Sequence, residues 1–151
     1  MRTASPATGA GKRLQTSGGY FFSGASALRY GARIGPKKSK FFVRFPMMAM
    51  EVFARVGSEY SDIGPWVRKN KGLENRYLGR KFIVDGEVHY GWARLSVTLS
   101  HRPVYEGVSA TLTGYAYETI PDKTIVAGRT TGRDVVKVPP GTLGSLARGR
   151  K

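Results

Sequence analysis

The sequence predicts a mainly β protein, an antiparallel β-sandwich of jelly-roll-like kind or, alternatively, a β-barrel. Apolar clusters of strand length alternate with turn residues from Gly18 onward. An Asp85-Gly86 step lies between two alternating arms, as a two-residue hairpin turn requires. Downstream, turns recur every ~8–12 residues, the spacing of sandwiches and barrels. A chain of 151 residues, 40% of them hydrophobic, has material for one core. That core is expected over 17–137, between a flexible basic tail at 1–16 and a linker-like C-terminal segment at 138–151.

Residues 1–16, MRTASPATGAGKRLQT, show no apolar periodicity to bury, which is the reason to read them as a tail. GGYFFSG and ALRYGARIGPKKSKFFVRF follow as strand-length clusters, with a turn at Gly35-Pro36. FFVRFPMMAMEVFARV fits either a helix begun at Pro46 or two buried strands. Strands are preferred, because the neighbours on both sides are strand-like. Tyr60 to Lys71 reads as a loop turned at Gly64-Pro65, with Trp66 anchoring it to the body.

A hairpin closed at Asp85-Gly86 sets Ile83 opposite Val88, Phe82 opposite His89, Lys81 opposite Tyr90, Gly79 opposite Trp92 and Tyr77 opposite Arg94. One side then gathers Leu78, Phe82, Val84, Ala93, Leu95 and Val97, the expected core face. Tyr77, Lys81, Tyr90, Trp92 and Arg94 gather on the other. Trp92 would fill the space beside Gly79, while Lys81 on Tyr90 and Arg94 on Tyr77 are cation–π candidates. His101-Arg102-Pro103 to Gly107 is read as a loop leading to a strand from Val108 to Glu118. Its alternation places Val108, Ala110, Leu112 and Ala116 on one side, and Thr111, Thr113, Tyr115 and Tyr117 on the other. After a turn at Ile120 to Lys123, a short strand from Thr124 to Ala127 stops at Gly128.

Charge narrows the partners more than the chemistry. Lys and Arg number 25 against 10 Asp and Glu, a formal +15, with a pI near 10.5. Such a field draws in polyanions: acidic glycan, anionic lipid or nucleic acid. The cations fall in blocks, at Arg29 to Arg44, at Arg68 to Lys81, and from Lys123 to Lys151. No apolar run approaches the roughly 18–20 residues of a transmembrane helix, and no apolar leader of about 7–15 residues follows the basic start.

Catalytic chemistry finds little support. Without cysteine there is no disulfide, thiolate metal site or cysteine nucleophile. Thr8 to Lys12 lacks the first glycine of a phosphate loop, and Arg13 stands where its Ser or Thr would be. His89 and His101 come with no nucleophile elbow and no metal-ligand spacing. His89 is read instead as closing the core edge opposite Phe82. The carboxylates Asp85, Glu87, Glu118 and Asp122 are accounted for by turns. No catalytic residue, metal or cofactor is therefore assigned, and the chain is read as a non-enzyme. The binding candidates are Tyr77, Lys81, Tyr90, Trp92 and Arg94, a basic aromatic face on which bases or sugars could stack. The same face could equally lie beneath a second sheet.

NRYLGRKFIVDGEVHYGWARLSVTL, ATLTGYAYETIPDKTIVAGRTTG and GTLGSLARG together carry a recognisable pattern. It consists of an aromatic-Gly-Trp-x-x-Leu strand (Tyr90, Gly91, Trp92, Leu95), a Tyr-Ala-Tyr-Glu-Thr strand (Tyr115 to Thr119), and an Ile-x-Ala-Gly ending (Ile125, Ala127, Gly128). Over residues 75–147 the chain resembles a bacterial domain of exported, cell-surface proteins, a group that includes proteins with PEP-CTERM sorting tails. The resemblance implies a secreted or envelope-associated β-sandwich and brings no catalytic residues. The expected function is an exported structural or adhesive module touching acidic envelope polymers. The alternative is a cytosolic, non-specific nucleic-acid binder.

Overall fold

Asp85 and Gly86 both take positive φ, 50° and 87°, the conformation that lets a two-residue turn follow the twist of its strands. In the computed structural model, which describes residues 8–15, 21–37, 41–42, 52–56, 59–102, 105–131 and 135–138, this turn joins the two central strands. The strands in chain order are β1 Thr8–Gln15, β2 Phe21–Ala25, β3 Arg33–Ile34, β4 Phe41–Phe42, β5 Val52–Val56, β6 Glu59–Ile63 and β7 Val67–Arg68. They continue as β8 Lys71–Gly72, β9 Arg76–Val84, β10 Glu87–Arg102, β11 Tyr105–Glu118, β12 Ile125–Val126 and β13 Val135–Val138. No described residue is helical, so no helix long and apolar enough to cross a membrane is present among them.

Seven strands form one sheet in the order β13-β11-β10-β9-β1-β2, with β4 also on β1. Three two-stranded ribbons, β3-β12, β5-β6 and β7-β8, complete the described structure. Every pairing is antiparallel, and no sheet closes into a barrel. The β9-β10 register is the one its turn dictates: His89 opposite Phe82, Tyr90 opposite Lys81, Trp92 opposite Gly79 and Arg94 opposite Tyr77.

Four local expectations change. Thr8–Gln15, read as tail, forms β1 and pairs with β2, β4 and β9. Strand pairing satisfies backbone groups and needs no apolar alternation when the strand bonds on both sides. The loop read over Tyr60 to Lys71 holds all of β6 but Glu59, all of β7 and the first residue of β8. Of the loop expected from His101 to Gly107, His101 and Arg102 end β10 and 105–107 begin β11, with His101 opposite Glu106 and Ser100 opposite Gly107, while 103–104 lie outside the described residues. Finally, Arg94 pairs with Gly114 but Leu95 with Leu112, so Thr113 is one extra residue on β11. A bulge of this kind reverses which way the strand's side chains face. Ala116 lies opposite Trp92 and Leu112 opposite Leu95, so the two do not share a side as simple alternation had them. Of the ambiguous segment around Pro46, Val52–Val56 is strand, whereas 43–51 and the C-terminal 139–151 lie outside the described residues.

Away from its turn the hairpin is covered on both faces, whereas Val84, expected on the core face, is exposed beside the turn together with Ile83. On one face Tyr77, Tyr90, Trp92 and Ala116 pack with Ile34, Ile125 and Ala127 from the β3-β12 ribbon. On the other, Val97 packs with Trp66 and Ala25, flanked by Leu78 and Leu95. Trp66, the anchor expected from sequence, is fully buried, and its Nε1–H donates to the Ala25 carbonyl at 2.8 Å. Leu73 follows β8, and its carbonyl accepts from the Val97 N–H at 2.9 Å. Gly72 lies so close to the Val97 carbonyl that a Cβ there would collide with it.

Candidate functional site

Of the five residues proposed as a stacking platform, three lie in the core: Tyr77, Tyr90 and Trp92 are 6%, 2% and 5% exposed. The covered alternative holds for this face, because the β3-β12 ribbon lies over it. Tyr77 meets Trp92 edge to face at 5.3 Å, a favourable arrangement for two quadrupoles. Tyr90 titrates above the usual tyrosine range, because burial disfavours its phenolate and the Asp122 carboxylate repels it. Lys81 is half-buried on β9.

The guanidinium of Arg94 clamps the bulge. Its Nε–H donates to Thr113 Oγ1 at 2.9 Å and its Nη2–H to the Thr113 carbonyl at 3.0 Å. Thr113 Oγ1 returns a hydrogen bond to the Arg94 carbonyl at 3.2 Å. A bulge takes a residue's polar groups out of the ladder, and those groups need partners. Sequence alone could not foresee this, since only Gly114 beside Thr113 hints at the irregularity.

His89, as expected, is a core-edge residue. It stacks on Phe82 at 6.1 Å, and its Nδ1 lies 3.0 Å from the Glu118 carbonyl. A carbonyl only accepts, so the ring proton sits on Nδ1. The buried Glu118 carboxylate accepts from the Ile120 N–H at 3.3 Å and meets Lys123 Nζ at 3.5 Å. Asp122 donates its N–H to the Val88 carbonyl at 2.8 Å. These acids close the turn after β11 and tie it to β10, a structural role. Among the described residues no group of three or more metal-ligating side chains gathers. An open apolar hollow of ≈ 310 Å³ lies against Phe82, Gly91, Ala93, Leu112, Tyr115 and Tyr117.

Among the described residues Tyr30 is an aromatic side chain turned to solvent, with 70% of its surface exposed. Two reciprocal turns hold it. The Ala32 N–H donates to the Arg29 carbonyl, with Gly31 at φ 84° between them. The Arg129 N–H donates to the Val126 carbonyl, with Gly128 at φ 83°. Positive φ at the third position makes glycine the suitable residue in both turns. The turns dock on each other, Gly31 N–H donating to the Ala127 carbonyl at 3.0 Å and Ala127 N–H to the Ala32 carbonyl at 2.8 Å.

Tyr30 therefore lies against Gly128, where a Cβ would run into its ring, and meets Tyr77 edge to face at 6.4 Å. Arg29 opens the first turn and Arg129 closes the second, and both are exposed, as is Arg33 on β3. The result is an exposed aromatic ring held on two docked turns, each of which also carries an exposed arginine. The sequence reading missed Tyr30 by counting Arg29-Tyr30-Gly31 within a strand cluster, although Tyr-Gly between arginines is a turn signal.

A second basic feature is the tip of the β7-β8 ribbon, where Arg68, Lys69, Asn70 and Lys71 are all exposed. Lys69 and Asn70 form its turn at φ 52° and 55°, and Arg68 pairs with Lys71. Set against known proteins, the chain matches no family model, no curated protein and no solved structure.

Proposed function

We propose that the chain is a non-enzymatic binding module for acidic polysaccharide, working at the cell envelope as a structural or adhesive component. The observation that carries this reading is Tyr30, a solvent-facing ring held on paired turns to which the exposed Arg29 and Arg129 also belong. A sugar ring has an apolar face of C–H groups that suits a flat aromatic ring, and its carboxylates suit the planar fork of arginine. A uronic acid unit offers both within one residue. Single-stranded nucleic acid is bound by successive rings along a basic groove, whereas here Tyr77, Tyr90 and Trp92 are spent on the core. The motif resemblance to exported domains supports the envelope location.

Calorimetric titration with polygalacturonate, a neutral glucan and duplex DNA tests the proposal. Polygalacturonate is expected to bind with affinity that falls as salt rises, and the neutral glucan not to bind. Tyr30→Ala should weaken polygalacturonate binding about tenfold, a change of ~1.4 kcal/mol. Wild-type affinity in Tyr30→Ala, with equal binding of duplex DNA, would instead favour a charge-only nucleic-acid binder.

A further inference from the structure

We propose that the protein is bivalent, with the β7-β8 tip as a second contact for acidic polysaccharide, so that one molecule ties two polymer strands together. The bridging role rests on the Tyr30 surface being the first such contact.

The tip is built against its own stability. A two-residue turn with both φ values positive is best served by Asn-Gly, yet here it is Lys69-Asn70. Lysine in the left-handed region crowds its own Cβ. Across the turn Arg68 stands directly opposite Lys71, and like charges in that position repel. Arg68, Lys69 and Lys71 thus put three exposed cations within four consecutive residues. An acidic polymer laid across the tip removes the repulsion, so binding supplies what the free hairpin lacks.

The root of the ribbon is rigid. Trp66 is fully buried at its base, Leu73 bonds to Val97, and Gly72 sits on the Val97 carbonyl. Cations on a floppy loop would lose more conformational freedom on binding than cations on such a ribbon.

The two contacts are rooted on opposite faces of the seven-stranded sheet. The β3-β12 ribbon that carries Arg33 and abuts the Tyr30 turns packs on Tyr77, Tyr90 and Trp92. Trp66 packs with Val97, Leu78 and Leu95 on the reverse. From Trp92 to Val97 along β10 is also about 17 Å at ~3.4 Å per residue. The two roots thus stand farther apart than a Debye length of about 8 Å at physiological salt, and on opposite faces of the sheet they suit two separate polymer strands.

A sandwich assay reads bridging directly. Polygalacturonate is fixed to beads, full-length protein is added and washed, and fluorescent polygalacturonate is then offered. Wild type is expected to capture the second polymer. The variant Arg68→Gln/Lys69→Gln/Lys71→Gln should stay on the beads within about threefold of wild type and capture less than a fifth as much. Lys71→Glu alone is a second, milder variant, expected to give an intermediate capture. Tyr30→Ala should lower both steps. Bead binding without capture by wild type overturns bivalency while leaving the Tyr30 site standing. Undiminished capture by the tip variants overturns it too, and would mean bridging through self-association. Equal capture of fluorescent duplex DNA overturns the choice of polysaccharide at the tip. No binding to the beads at all refutes the Tyr30 reading, and bridging with it.

Discussion

Replacing Trp66 by alanine removes the largest fully buried side chain described in the molecule and tests what holds the basic ribbon to the sheet. Truncating a buried tryptophan costs about 3–5 kcal/mol through lost burial and the cavity left behind. Part of that loss is the hydrogen bond from Nε1 to the Ala25 carbonyl at 2.8 Å, since a buried carbonyl left unpaired costs ~1–3 kcal/mol. Trp66→Phe separates the two contributions, keeping most of the ring and deleting the donor, with an expected loss of about 1–3 kcal/mol. The assay is urea unfolding followed by fluorescence, which Trp92 continues to report in both variants. With a urea slope of ~2 kcal/mol per molar, the alanine midpoint should fall by about 2 M and the phenylalanine midpoint by about 1 M. An alanine variant within about 0.5 kcal/mol of wild type, the range of ordinary surface substitutions, would refute the argument that Trp66 roots the ribbon.

Three further outcomes are expected. Gly128→Ala combines φ 83° with a Cβ that would lie 2.8 Å from the Tyr77 hydroxyl; it should destabilise the chain by about 1–3 kcal/mol and weaken polygalacturonate binding by shifting Tyr30, both readable in one titration and one melt. Tyr90 has a folded pKa raised by burial and by Asp122, so its contribution is complete below the ordinary tyrosine value and is lost as pH rises through the folded value. Urea titrations above pH 10 should therefore show a shallower alkaline decline in Tyr90→Phe than in wild type, and parallel declines would contradict the assignment. Lys69→Asn with Asn70→Gly gives the turn its preferred residues and should stabilise the fold by about 1 kcal/mol, while capture of a second polymer falls in the sandwich assay.

The hairpin could be read residue by residue because Asp85-Gly86 leaves no freedom of register: once the turn is set, His89 must meet Phe82 and Trp92 must meet Gly79. Which of its faces is buried could not be read, because tyrosine and tryptophan suit both a core and a wet surface. Here both faces are covered, so Leu95 and Trp92 each find a cluster. The bulge at Thr113 escaped because alternation carries no mark of a single extra residue. The β7-β8 ribbon escaped because Lys69-Asn70 is a poor advertisement for a tight turn. Among the proposed site residues, charge was read correctly as abundant, but Arg94 is taken up by Thr113. Tyr30 draws its exposure from a contact with Gly128, ninety-eight positions further on, which no local window could contain.

That long-range contact also sets an order of events during synthesis. Ile34 leaves the ribosome 91 residues ahead of Ile125, its partner in the ribbon, a lag of roughly 5–18 s at 5–20 residues per second. Until then the aromatic side of the nascent hairpin has no lid, and Tyr77 and Trp92 are open to whatever helper or stray strand arrives first. The ribbon thus closes only after the hairpin beneath it is complete, and chains cut short before Gly128 would be the ones that stick to each other.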